Sequence, residues 1–204
     1  MSRSTQEIIS QVGVVSDLGV YLDDELSMKQ HVNRIAATCF FHLHHLRQIR
    51  RHIGRDLTVH LIIAFIMTRF DYCNSVLAGL SQTTLAPLQH VQNAAVRLVL
   101  ALRGCEDVTP FLIQLHWLPV RWRIYFKLCT IMHTVHTGRC PAYLKEIVHT
   151  VNSTTVHPGL RSAVSTDYVV PRLCMKFCKR SFYAGPVAWN SVHVQYTSKK
   201  RDGL

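Results

Sequence analysis

Apolar residues recur at intervals of three and four along most of this 204-residue chain, a period that an α-helix gathers into one buried stripe. From 28 to about 51 the stripe is Val32, Ile35, Cys39, Leu43, Leu46 and Ile49. Gly54 closes that helix and Asp56 can cap a second one running to about Leu77. The second is apolar on most faces through Leu61, Ile62, Phe65, Ile66, Phe70 and Val76, so it belongs in the middle of the molecule. After a connection over 79–83, the residues Leu85, Leu88, Val91, Ala95, Leu98 and Leu102 mark a third helix, stopped by Gly104. Thr109-Pro110 opens a short helix to about Leu115, because proline suits the first helical turn. Trp117-Leu118-Pro119-Val120 interrupts, and 121–137 forms a further helix with Ile124, Leu128, Ile131 and Val135 inward. Pro141 begins one more, to about Val148.

The ends of the chain read differently. Val12-Gly13-Val14-Val15 and Leu18-Gly19-Val20-Tyr21-Leu22 are β-branched and punctuated by glycine, which predicts one or two short strands. Residues 151–158 are rich in Thr, Ser and Asn and read as a linker. Beyond it Tyr168-Val169-Val170 suits a strand, and 182–192 suit a short helix or packed turn. The expected fold class is therefore mainly α. A helical bundle over 28–150 is preceded by one or two short β-strands in 1–27 and followed, over 151–204, by the linker and an irregular α+β tail.

Tyr21-Leu22-Asp23-Asp24 has the Tyr-x-Asp-Asp form of a polymerase catalytic box. Two phosphate-orienting metals need carboxylate oxygens from more than one strand, and the preceding residues offer only Glu7 and Asp17. Ser27, with Gln30 three residues on, reads as a helix capping box. The order is thus strand, turn, long helix, with Asp23 and Asp24 as solvated turn residues at the helix entrance.

Hydrophobic residues make up 48% of the chain, enough for a sizeable core. Lys and Arg number 23 against 12 acids, a formal charge of +11. That balance points to a polyanion, nucleic acid first and an acidic membrane surface second. Most of the basic residues are Arg, whose planar fork meets phosphate in bidentate geometry. Residues 29–55 carry six positive charges and no acid, and 172–201 form a second acid-free block. The plain alternative is a basic surface that only faces water. Seven scattered Cys and no leader-like start read as a reduced intracellular chain, cytoplasmic or nuclear. The longest uncharged apolar stretch, 57–68, is too short to cross a hydrocarbon layer of ~30 Å, so no membrane is expected.

Three groups invite a site reading and have a plainer one. His42 with His45, and His133 with His136, have helical ligand spacing without a nearby Cys or carboxylate, so a solvated His face is the default. Cys174 and Cys178 form half a zinc knuckle without a second pair, which favours buried structural Cys. Cys73, beside Asn74, lies on an apolar helix that offers nothing to activate a thiol; packing, with a helix-to-helix hydrogen bond from Asn74, is the better account.

Four blocks stand in order: Leu18-Gly19-Val20-x-Leu22-Asp23 before the His31 helix, then Arg69-Phe70-Asp71-Tyr72-Cys73-Asn74-Ser75-Val76-Leu77, then Leu88-Gln89-x-Val91-Gln92-Asn93-Ala94-Ala95-Val96-Arg97-Leu98, then Leu115-His116-Trp117-Leu118-Pro119-Val120-Arg121-Trp122-Arg123-Ile124. Pro141-x-Tyr143-Leu144, Leu160-Arg161-Ser162 and Phe182-x-x-x-x-Pro186-x-x-Trp189-Asn190-Ser191 come after them. Together they resemble the region just downstream of the reverse transcriptase palm in non-LTR retrotransposons of the chicken-repeat and LINE-2 type, over about 18–192. The resemblance implies the strands leaving the palm in 1–27, a helical thumb-like region over 28–150 and a C-terminal tail over 151–204. In that family the metal-binding Asp pair lies upstream, with the nucleotide-binding motifs and the endonuclease. It therefore implies no catalytic residue, metal ligand or cofactor in this chain, whereas the parent RNA-directed DNA polymerase would use Mg. Gly138-Arg139-Cys140 and the stub after Val192 depart from the family pattern, which suggests a decayed copy.

A thumb holds primer and template by backbone contacts, which need Arg and Lys on exposed helix faces. Arg34, Arg47, Arg50, Arg51, Arg121 and Arg123 are the candidate phosphate contacts, with Trp122 as a stacking neighbour. Arg69 and Arg97 sit on more apolar helices and read as structural ion pairs, for example with Asp71. The implied partners are RNA and DNA as primer–template and the parent's palm and fingers; oligomeric state is left open. The alternative function is a non-catalytic helical protein-interaction module or a degraded pseudogene product.

Overall fold

In the computed structural model the described residues are 13–104, 106–151, 167–170 and 184–201, the side chains beyond Val192 excepted. Strands Val14–Asp17 (β1) and Val20–Asp23 (β2) pair antiparallel, with Val14 opposite Asp23 and Asp17 opposite Val20. Their two-residue turn, Leu18-Gly19, has φ of 45° and 80°. Positive φ at both positions is the requirement of a type I′ hairpin, whose twist matches that of the strands.

Helix α1 (Lys29–Ile62) begins behind Met28, which sits at φ 60° and whose carbonyl accepts the Val32 N–H at 3.0 Å. Ser27 plays a smaller part than the capping box assigned to it, since its hydroxyl lies 3.4 Å from the Lys29 N–H. That hydroxyl instead donates to the Asp23 carboxylate, which also accepts the Ser27 N–H at 2.6 Å. The buried stripe is His31, Val32, Ala36, Cys39, Leu43 and Leu46; Ile49, expected in it, is exposed.

Gly54 breaks α1 with φ 73° and ψ 179°. The consequence is a reversal. His42 and Phe65 stack with ring centroids 5.4 Å apart, although a straight helix would separate them by about 35 Å. The two arms of α1 therefore run back along each other, and Thr58, fully buried in the second arm, donates to the Gly54 carbonyl at 2.5 Å.

The second arm runs through a π-turn, Ile63–Met67, into α2 (Thr68–Asp71) and ends there, short of the expected Leu77. Tyr72 is extended, Cys73 has φ 51°, and a 3-10 turn covers Asn74–Leu77. A π-turn holds about one residue more than an α-turn and rotates the residues after it around the helix axis. Ile66, Met67 and Phe70 thus face the core while Ile63, Phe65 and Val76 face water, so this helix is half central.

Helix α3 (Gln82–Leu100) starts on Ser81, whose hydroxyl accepts the Thr84 N–H at 3.3 Å. It ends at Ala101 (φ 56°), before the expected Gly104, and the Leu102 N–H returns to the Arg97 carbonyl at 3.2 Å. Leu88, Val91 and Ala95 are fully buried on it, each large apolar side chain contributing about 2 kcal/mol. Helices α4 (Thr109–Gln114), α5 (Val120–His136) and α6 (Ala142–Ile147) come next, and α7 (Ala184–Arg201) lies along α5. On α5 Met132 is fully buried where Ile131 was expected.

One large core joins the hairpin, α1, α3, α4, α5 and Ala188 of α7. A smaller one gathers Met132, Val135, Val148 and Tyr168, with Leu144 and Trp189 against it. Backbone bonds from Val151 N–H to the Asp167 carbonyl (3.0 Å) and from Val169 N–H to the His149 carbonyl (2.9 Å) hold Tyr168 there. The fold is mainly α with one short N-terminal hairpin, as the periodicity predicts. No helix among the described residues is long and apolar enough to cross a membrane.

Candidate nucleic-acid interface

The four ordered sequence blocks touch one another. Tyr72 donates its hydroxyl to the Leu18 carbonyl at 2.6 Å, tying the second block to the hairpin turn. Asp71 and Arg123 tie the second to the fourth. Gln92, fully buried on α3, donates to the Leu118 carbonyl at 2.8 Å, and the Gln89 side-chain oxygen accepts the Val120 N–H at 3.1 Å. The third block therefore holds the start of α5, where Arg121, Trp122 and Arg123 stand.

The candidate phosphate contacts fall into three groups. At about 100° per residue, Arg47, Arg50 and Arg51 share one sector of α1, and Arg34 points about 140° away from Arg47. Arg47 and Arg51 are exposed; Arg47 borders a shallow hollow of about 270 Å³ with Phe40, His44 and Leu98. Arg50 is half-buried and donates to the Val99 carbonyl at 3.1 Å, which fixes α1 to α3. Arg34 is exposed with its guanidinium 4.2 Å over the Tyr21 ring. On α5, Arg121 is exposed 5.8 Å from the Tyr125 ring centre and Trp122 is 57% exposed. Among the described residues Arg121 is also the one charged side chain lining an otherwise largely apolar cavity of about 570 Å³ between α3, α5 and α7.

Arg123 is engaged internally, its Nε donating to Asp71 Oδ1 at 3.0 Å and its Nη2 to Oδ2 at 2.7 Å. This corrects the pairing of Asp71 with Arg69 or Arg97. Arg97 instead donates to the Glu106 carbonyl at 3.3 Å. Between two described residues Asp71–Arg123 is the one ion pair. Asn74 also departs from expectation: it is buried, but its Oδ1 has no hydrogen-bond partner.

Of the Asp pair at the hairpin exit, Asp23 serves the turn and Asp24 is exposed. Burial pushes the Asp23 carboxyl up, but hydrogen bonds from Ser27 outweigh it and hold the group below its ordinary value. Among the described residues no three His, Cys, Asp or Glu side chains gather as a metal site would need. His42 and His45 both pack around Phe41, and His136 lies 5.4 Å from Trp189 and 3.1 Å from the Tyr168 hydroxyl. Cys39 is buried, which pushes its thiol up to about 11. Cys174 and Cys178, the 160–162 block and residues 172–183 of the basic stretch lie outside the described residues, as do the side chains of Lys199, Lys200 and Arg201.

Sequence reasoning missed Tyr21 and Tyr125 as the rings beneath Arg34 and Arg121. The i, i+4 spacing of Arg121 and Tyr125 was a usable signal. Nothing local joins Tyr21 to Arg34, which meet only because the hairpin folds onto α1. No protein family model, curated protein or solved structure matches the chain.

Proposed function

We propose that this chain is the post-palm, thumb-like part of a non-LTR retrotransposon RNA-directed DNA polymerase, gripping nucleic acid by its phosphates and adding no nucleotide itself. The observation that carries the reading is a set of exposed arginines, Arg34, Arg47, Arg51 and Arg121, on a chain of formal charge +11. Guanidinium groups release condensed counterions as they neutralise phosphates, and their fork fixes the register of a strand. Trp122 offers an exposed ring beside Arg121 on which an end base can stack. Asp23 is engaged with Ser27, so its carboxylate anchors a turn. Any Mg the parent enzyme uses belongs to the palm, and these residues hold and orient the strand.

Fluorescence anisotropy with a labelled RNA–DNA primer–template tests this. Four phosphate contacts on a duplex give a slope of about −3.6 in log affinity against log salt, and Arg47→Gln with Arg51→Gln makes it shallower by about 1.8. No binding at low salt overturns the grip, and Mg-dependent nucleotide incorporation by the purified chain overturns the absence of catalysis. A second reading, a helical protein-interaction module, draws on exposed Ile113 and Phe126. It predicts salt-insensitive self-association by light scattering and no oligonucleotide binding.

A further inference from the structure

We infer that the α1 face centred on Phe41 is a stacking platform for the bases of unpaired nucleic acid, a second contact surface that rests on the nucleic-acid reading above. Arg34, Phe41 and His45 are seven and four residues apart, which places them within about 40° of one another around α1. Phe41 is 61% exposed, and His45 meets its ring edge-on with centroids 4.4 Å apart. The reversal at Gly54 and the π-turn bring Phe65 alongside, 44% exposed and stacked on His42 at an interplanar angle of 20°. One end of the row is the Arg34 guanidinium over Tyr21.

The charge of this surface selects the partner. Burial first, then Arg69 and His45, hold the His42 imidazole below its ordinary value, so the Arg69 guanidinium stands near these rings as that of Arg34 does at the end of the row. None of the ring and cation contacts in the row involves a carboxylate. Exposed flat rings among cations suit a polyanion that carries its own flat rings. Every base has a π-face, so such a surface is indifferent to sequence. In a duplex those faces are occupied by neighbouring bases, and aromatic recognition of RNA is directed at loops, ends and single strands. The sector bearing Arg47 and Arg51 is turned well away from Phe41, so the two surfaces are separable.

The test uses the full chain with a labelled unstructured single-stranded RNA and with the duplex primer–template. Phe41→Leu and Phe65→Leu, both at exposed positions, each weaken single-strand binding about tenfold, leave its salt slope unchanged and leave duplex binding and melting temperature at the parent values. Phe41→Trp restores binding, and its added indole emission is quenched by the RNA. Single-strand binding by Phe41→Leu equal to the parent's, with duplex binding intact, overturns the platform and leaves the backbone grip standing. Failure of the parent chain to bind either nucleic acid overturns both. Phe41-dependent binding to phosphatidylserine vesicles in place of RNA overturns the platform in favour of a membrane surface.

Discussion

The Arg123 guanidinium grips the Asp71 carboxylate through two parallel bonds of 3.0 and 2.7 Å, joining the start of α5 to the end of α2. Side-chain exposures of 16% for Arg123 and 50% for Asp71 mean that solvent screens the pair. Its worth is therefore set by bidentate geometry more than by charge. Arg123→Gln and Asp71→Asn are each expected to cost about 0.5–1 kcal/mol in urea denaturation, and the double variant about the same as either alone. Because Arg123 is already engaged, Arg123→Gln should change primer–template affinity less than Arg47→Gln does.

Gln92 has no exposed surface, donates to the Leu118 carbonyl and accepts from the Gln89 amide at 3.1 Å. Gln92→Leu fills the volume but strands the Leu118 carbonyl and leaves the Gln89 amide only its bond to Asn93 Oδ1 at 2.9 Å, a loss of about 2 kcal/mol. The denaturation midpoint reads this directly, and an unchanged midpoint would mean that water replaces the bonds.

Two histidines make the fold acid-sensitive. Burial pushes His31 below its ordinary value of 6.5, and its Nδ1 faces the Tyr21 N–H at 3.4 Å, an arrangement suited to neutral imidazole. His42 is held below 6.5 by burial and then by Arg69 and His45. Below that pH the unfolded chain binds more protons than the folded one, so stability is full above it and declines as pH falls through it. Thermal unfolding measured from about pH 7.5 to 5.5 should show a falling midpoint, and His31→Gln, which cannot titrate, should flatten the fall. A midpoint that rises on acidification contradicts the account.

The hairpin turn carries a removable strain. Leu18 adopts φ 45°, a conformation that costs a side chain with a Cβ about 1 kcal/mol, whereas Asn tolerates it. Leu18→Asn should therefore raise stability by about 0.5–1 kcal/mol in urea, keeping the backbone carbonyl that Tyr72 bonds. Gly19→Ala should lower it by a similar amount, since φ is 80° there.

The helices on either side of Gly54 and the inward rows of α3 and α5 were legible because each depends on neighbours three or four residues away, whereas the Ser81 cap fell within what reads as a connection. The same short reach explains the errors. The π-turn that exposes Phe65 has no period of its own, and Ile131 and Met132 are both apolar, so only packing chooses between them.

The candidate site divides along the same line. Residue type and spacing alone establish that the chain is basic, rich in arginine, mainly helical and interrupted at Gly54, since charge and helical period are properties of the string itself. Which arginines stay available is a matter of distance in space. Arg123 is taken up by a carboxylate 52 residues away and Arg50 by a carbonyl 49 residues away, while Phe65 reaches His42 through the fold of the α1 arms. Contacts of that reach leave no trace in local order, because they arise when separate helices share one core.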